Sequence, residues 1–561
     1  NTAGGQYNIA IGNYAGDAIT SGDNNTVMGH NVASNLTTGG NNTAMGMDAL
    51  LATVSHNNST AIGYQALRAN TAADNTAVGK DALALNTTGS TNTAVGAAAL
   101  DANTTAEYNT AIGAYALSGA TTGSYNTALG RGAGIAITTG TRNVAIGVDT
   151  LKAVTTGTNN TAIGTNAAGA TTGDDNVAVG KAALNANTTG DNNVAIGVNA
   201  LALSVDVDNS VAIGYDAGAN TVVAGIVAIG KDALKANTTG SVQVAIGHSA
   251  LKSNTTGQRN LAIGYRAYEG SDTENDNIAI GYNAMVTDTA GGTLNVAVGN
   301  YALDALTSAD RNTAIGHSAG SAITTGGSNT AVGAEALTAC VDAVGNTCIG
   351  DSAGNTLTSS GVNVCVGANA GDAITTGDGH NIVIGFQAAS YTRNLTSGQE
   401  NLYIGAYSHP SSSTIQNEIA IGYGAAGKGT ATAFIGGSNG AYQGDNATAW
   451  KQTSDERLKK NIVNNDIGLS KINKIQVRSF EYKNIEEVEA DGVIDKDQTI
   501  KKTGTQIGVI AQELELVLPN CVKTTSSGVK SIITDDITWH MLNAVKELSA
   551  EVEALKAKLA D

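Results

Sequence analysis

The sequence predicts a mainly β protein: a parallel β-solenoid, or β-roll, of about 26 coils with a 17-residue repeat, followed by a small α+β module that ends in a coiled-coil helix. Three observations carry this. A five-residue signature recurs 26 times; glycine is abundant while proline and aromatics are scarce; and the last residues carry an apolar heptad.

The signature, Asn-Thr/Val-Ala-Ile/Val-Gly, ends at glycines from Gly12, Gly29 and Gly46 through Gly422 and Gly436, with nearly every step 16 to 18 residues. With that Gly as position 0, Ile or Val stands at −1, usually Ala at −2, Thr or Val at −3, and Asn at −4 in 20 of 26 copies. Alternation over these positions predicts a short strand. An Ala-Leu pair commonly follows at +3 and +4, as in Ala66-Leu67 and Ala99-Leu100, and then a turn such as Asn86-Thr87-Thr88-Gly89. One such coil cannot bury its own apolar side chains, so coils must stack strand on strand. With strands about 4.8 Å apart, 25 steps make a rod on the order of 120 Å long.

Residues −1 and −3 point one way from the strand and −2 the other. Taking −1 and −3 as the lining of the coil leaves the alanine column outside, where partner chains would bury it. The expectation is therefore a homo-oligomer, a homotrimer, with small residues at the close approach. The stacked Asn column reads as a side-chain hydrogen-bond ladder that needs no ligand.

Composition narrows the function. Glycine is about 12% of the 561 residues (70) against a usual level of about 7%, and aromatics are only 4%, which disfavours large aromatic-centred enzyme domains. Prolines stand only at Pro410 and Pro519, and glycine has no three-residue period, which excludes collagen. Residues 1–450 hold 14 Lys and Arg against 30 Asp and Glu, a net charge of −16 that repels phosphate backbones, so no nucleic-acid partner is expected. No run reaches the roughly 18 to 20 apolar residues of a membrane span. Asn1 falls inside a repeat, so an upstream segment, for attachment or secretion, is expected to be missing.

Stretches such as Asn193-Val194-Ala195-Ile196-Gly197 resemble the head repeats of trimeric autotransporter adhesins. That resemblance spans roughly residues 1–436 and implies left-handed parallel β-rolls whose three chains pack around one axis. The repeats here are longer than is typical of those heads.

Chemistry-bearing residues in the shaft are few. Cys348 and Cys365 lie 17 apart in the −2 column, where they read as small buried residues, although stacking brings their Cα atoms within reach of oxidation. Cys340, Cys521 and the seven His show no ligand spacing or shared register, so neither a metal nor a cofactor is expected. A polysaccharide-cleaving shaft would use paired carboxylates; Asp174 and Asp175 are candidates, but adjacent loop acids are usually solvated. Thr pairs sit in turns rather than on a flat strand face, which argues against an ice-binding surface. No single coil carries a distinctive cluster of aromatic and polar groups, so a receptor is not legible.

After Gly436 the period dissolves, and residues 437–453 read as a linker. Residues 454–561 differ in kind: Ser454-Asp455-Glu456-Arg457-Leu458-Lys459-Lys460-Asn461-Ile462, then Gly468-Leu469, a strand-like Val477 to Lys483, an acidic stretch from Glu486 to Asp497, and Gln506-Ile507-Gly508-Val509-Ile510-Ala511-Gln512-Glu513-Leu514. In this order the blocks resemble the self-cleaving intramolecular chaperone domain of phage endosialidases, tailspikes and tail fibres, also found in a membrane-bound myelin regulatory factor. The resemblance implies trimerisation, templated folding of the preceding rod, and autocleavage through a Ser/Lys dyad. Carried over by motif, Ser454 is the nucleophile that attacks the Thr453 carbonyl, and Lys459 is the base, with Lys460 as substitute. A lysine amine can act so when burial leaves it neutral. Five residues is neither one helical face nor one strand face, so the pair needs a turn or a second chain between them. Alternatively, Ser454 N-caps a helix whose first turn carries Asp455 and Glu456. Finally, Met541, Val545, Leu548, Val552, Leu555 and Leu559 are spaced 4, 3, 4, 3, 4, a coiled-coil seam over 541–559.

The expected protein is thus a trimeric fibre of a virion tail, or of another extracellular surface, that attaches to a host receptor or glycan and inserts into no membrane. A bacterial surface adhesin and a polysaccharide-degrading tailspike are the alternatives. Enzymatic activity is expected only as self-cleavage.

Overall fold

The shaft is built from three-residue strands because only positions −3 to −1 of each coil are extended before a glycine turns the chain. In the computed structural model, which describes residues 4–287, 291–377, 379–437, 441–443, 459–483, 487, 503–524 and 529–560, 26 such strands run from β1 (Ile9–Ile11) to β26 (Ala433–Ile435). Each pairs in parallel with the next at identical repeat position, as in Ala195↔Ala212, so every column predicted from the 17-residue period is continuous. Within the segment expected as linker, β27 (Ala441–Gln443) pairs antiparallel with β26 and ends the parallel stack. The chain divides into two compact units, Asn1–Gln452 and Thr453–Asp561.

Glycine at 0 is dictated by geometry. At Gly197, φ is +134°, and a Cβ would collide with the carbonyl oxygen of Gly214 in the next coil. The backbones therefore stack closer there than any side chain permits.

Which face lies inside corrects the expectation. The −2 alanines, Ala61, Ala77, Ala94 and onward, are fully buried within the single chain, whereas −1 and −3 remain half-exposed to exposed. The reason is volume. A 17-residue coil has a narrow interior, and the +4 leucines, Leu67, Leu83 and Leu100 among them, already occupy it at zero exposure, so only a small −2 residue fits beside them. Exceptions obey the same rule. Where +4 is Gly16, Gly134, Gly320, Gly354 or Gly371, position +7 becomes Ile19, Ile137, Ile323, Leu357 or Ile374, and the larger side chain fills the space. At Gly218 the filler is Ile226, which displaces the usual −4 Asn of the following coil.

The Asn column is a ladder. The Asn126 backbone N–H donates to Asn109 Oδ1 (2.8 Å), its Nδ2 donates to the Gly140 carbonyl (2.9 Å), and its Oδ1 accepts from the Asn143 N–H (2.9 Å). A buried amide is thus satisfied at both ends and ties three coils together. The turn threonines form a parallel row, each Oγ1 donating to a carbonyl one coil on, as Thr87 does to Thr104 and Thr104 to Thr121.

The second unit is small. It contains α1 (Leu469–Ile472), the antiparallel pair β28 (Arg478–Phe480) and β29 (Gln506–Gly508), α2 (Ala511–Val517), the hairpin β30 (Val522–Thr524) and β31 (Lys530–Ile532), and the long α3 (Thr534–Ala560). Its buried centre is Leu514, Leu518 and Cys521, with Ile467, Ile472, Val509 and Ile537 packed around them.

Candidate functional site

Of the expected dyad, Thr453 and Ser454 lie outside the described residues. Lys459 is placed, in irregular backbone and exposed to solvent. The acidic stretch, save Glu487, also lies outside them.

The segment from Asn465 to Leu469 is held against α3 by polar contacts. Asn543 Nδ2 donates to the Asn465 carbonyl (2.7 Å), and the Glu547 carboxylate accepts the N–H of Leu469 (2.6 Å) at the start of α1. Across the module, Arg478 grips Glu513 with two N–H···O bonds (3.1 and 2.9 Å), which raises the guanidinium pKa, and Lys530 Nζ donates to Glu515 (2.6 Å). Sequence reasoning missed His540, a buried imidazole on α3 whose Nδ1 has no hydrogen-bond partner among the described residues. Its ring shares the helix with an open apolar seam: Met541, Val545, Leu548, Val552, Leu555 and Leu559 are all between 40% and 86% exposed. Among the described residues nothing covers this seam, and an apolar row of this kind marks a contact surface.

In the shaft, Asp174 and Asp175 are engaged in stacking. Asp174 Oδ1 accepts the Thr158 N–H (2.6 Å), and Asp175 Oδ1 accepts from Asn159 Nδ2 (3.0 Å). Cys348 and Cys365 face each other in register as free thiols, and the hydrogen bond from Cys365 together with burial raises the Cys348 thiol well above its ordinary pKa. Among the described residues no group of three or more His, Cys, Asp or Glu is placed to hold a metal, and no helix is long and apolar enough to cross a membrane.

Two expectations about the shaft's side chains change. His30, His248 and His317 do share a register, directly after the signature glycine. And although no one coil holds an aromatic cluster, stacking assembles one: His248, Tyr265, Tyr282, Tyr301 and His317 form an unbroken ladder with ring centroids 5.3, 5.2, 5.4 and 6.0 Å apart, its tyrosines exposed. Spacings of 17, 17, 19 and 16 residues were the available signal.

Residues 454–523 match the family described as Chaperone of endosialidase. The match starts at Ser454. No curated protein matches the sequence. An endosialidase-type chaperone module behind a parallel β-solenoid shaft fits a protein of the tail-fibre or endosialidase type, and a module of this family implies trimer assembly.

Proposed function

We propose that the chain is the subunit of a homotrimeric fibre, a viral tail fibre acting in host attachment, whose C-terminal chaperone aligns three chains and then cuts itself off between Thr453 and Ser454. The observation that carries this reading is the chaperone match beginning at Ser454, directly behind a stack of near-identical coils. Such coils pair out of register by one step at little energetic cost, so alignment has to be imposed from a non-repeating end. The −1 and −3 columns give the chains something to bury. Ile112, Ile163 and Ile315 are each about 40% exposed, and covering side chains of this kind contributes about 1 kcal/mol apiece. The interface is therefore assigned to the branched aliphatic face, not to the alanines.

In cleavage, Ser454 Oγ would attack the Thr453 carbonyl carbon while Lys459 takes its proton and returns it to the departing Ser454 amine, and water would then hydrolyse the resulting Thr453–Ser454 ester, leaving a carboxylate on Thr453 and a free hydroxyl on Ser454. Lys459 is solvent-exposed in the single chain, and a neutral lysine needs a desolvated setting. Assembly supplies it in this reading, so cleavage should follow trimerisation. Mass spectrometry of the expressed product tests the proposal: the wild type should yield a fragment of residues 454–561, and Ser454→Ala should retain the intact chain. A fragment that persists in Ser454→Ala removes the dyad, and a solution mass of one protomer removes the trimer.

A further inference from the structure

The aromatic ladder is not required by the coil. Four of its rings stand directly after the signature glycine, a column that holds Lys80, Ala97, Ala114, Thr165 and Asp351 elsewhere in the same shaft, and Tyr301 stands one residue further on, where Ala98 is found in another coil; those coils stack in identical register. Five successive coils have nonetheless each placed a ring there, three tyrosines and two histidines, in a chain that is only 4% aromatic.

Ring orientation divides the ladder into two parts. His248, Tyr265 and Tyr282 lie within 21° and 9° of parallel, cover one another's faces and leave their edges in solvent. Tyr301 is turned 67° from Tyr282, and His317 a further 76° from Tyr301, so the faces of Tyr301 point across the column instead of along it. Polar groups flank the rings. Ser318 Oγ lies 3.2 Å from His317 Nδ1, the Oδ1 of Asn283 is buried next to Tyr282 without a partner among the described residues, and Arg266, paired with Glu269, lies close enough to feel the phenols of Tyr265 and Tyr282.

We propose that this ladder is a binding strip for a neutral polysaccharide running along the fibre axis. A sugar ring offers C–H groups on its faces, which the electron-rich face of Tyr301 attracts, and hydroxyls at its rim, which the phenols, imidazoles and amides can meet. The step between rings is about the length of one sugar unit in an extended chain, so successive units meet successive coils. The shaft's net charge of −16 over residues 1–450 disfavours polyanions, which selects a neutral polymer. This deepens the attachment reading above and rests on it.

The test is affinity electrophoresis of the full chain through gels cast with neutral glucans, mannans or galactans, comparing wild type with Tyr265→Ala/Tyr282→Ala/Tyr301→Ala. Alanine already occupies these repeat positions at Ala97, Ala114 and Ala98, so the variant keeps the coil. At least one polymer should retard the wild type, the variant should lose that retardation at least tenfold, and Tyr108→Ser/Tyr125→Ser, which removes another exposed stacked pair, should not. No retardation by any polymer, equal retardation of the variant, or a changed oligomeric mass of the variant would each overturn the proposal, the last because the ladder would then be a contact between chains. Labelled fibres separate the two readings: cells bound equally by variant and wild type overturn the ladder and leave attachment standing, whereas gel retardation without cell binding supports the ladder and rejects attachment.

Discussion

The hydroxyl of Tyr403 donates a 2.8 Å hydrogen bond to the buried carboxylate of Glu418, one coil further along the shaft. Tyr403 holds a −2 position where alanine is usual, and Glu418 a −4 position where asparagine is usual, so two departures from the repeat answer each other. Glu418 continues the ladder by donating its N–H to Asn401 Oδ1 (2.9 Å), while its carboxylate also accepts the N–H groups of Ser411 (3.0 Å) and Gly429 (2.7 Å).

Removing that carboxylate strands the buried Tyr403 hydroxyl and the half-buried N–H groups of Ser411 and Gly429. Glu418→Ala should destabilise the C-terminal coils by about 3 kcal/mol or more, and Tyr403→Phe by about 1–3 kcal/mol, read as lost hydrogen-exchange protection near residues 400–432. Burial, then the charge of Glu418, raises the Tyr403 phenol far above its ordinary value. A raised folded-state pKa contributes stability that is intact below the unfolded tyrosine pKa of about 10 and is lost as pH climbs above it. Unfolding of these coils should therefore accelerate from about pH 10, and less so in Tyr403→Phe.

The Asn ladder predicts a local cost at any central rung. Asn126→Ala removes the acceptor for the Asn143 N–H and the donor to the Gly140 carbonyl, with an expected loss of about 2–4 kcal/mol confined to neighbouring coils. Urea melts monitored by exchange at Asn143 would measure it. A change spread evenly over the shaft would contradict the ladder.

Two glycines separate strain from collision. Gly225 has φ +73° with nothing within 4 Å of an added Cβ, so Gly225→Ala should cost about 1–2 kcal/mol from backbone conformation alone. Gly197→Ala adds the clash with Gly214 and should break the stack there, exposing the flanking coils to protease. Equal melting temperatures for the two variants would refute the close approach.

On α3, Glu551 and Lys556 stand at g and e positions five residues apart, the spacing of an interhelical ion pair in a parallel coiled coil. Within one chain Lys556 turns instead to Glu553 (2.8 Å). In a parallel trimer, Glu551→Lys should weaken assembly, and Lys556→Glu in the same chain should restore it, as measured by the concentration dependence of the oligomeric mass. Restoration at neither high nor low salt would argue for another helix arrangement.

The candidate site was legible in the sequence only in part. The chaperone blocks from Ser454 onward and the heptad of 541–559 are contiguous patterns, so sequence carried them, whereas the burial of His540 beside that seam became visible only in the folded module. The aromatic ladder was hidden because its five rings are spread from His248 to His317, one per coil, and become adjacent only when coils stack.

The 17-residue period on its own determined the coil, its strand, the glycine turn and the continuity of every column, since a periodic sequence forces equivalent residues into equivalent places. It did not determine which side of the strand faces inward, because Ala at −2 and Ile or Val at −1 are all apolar and alternation is blind to volume. Three-dimensional packing decided that: where Leu67, Leu83 and their counterparts lie inside, the narrow coil leaves −2 room for a methyl group, and Val27, Val383 and Tyr403 take that position only in coils without a leucine at +4, so the aliphatic columns are left facing outward.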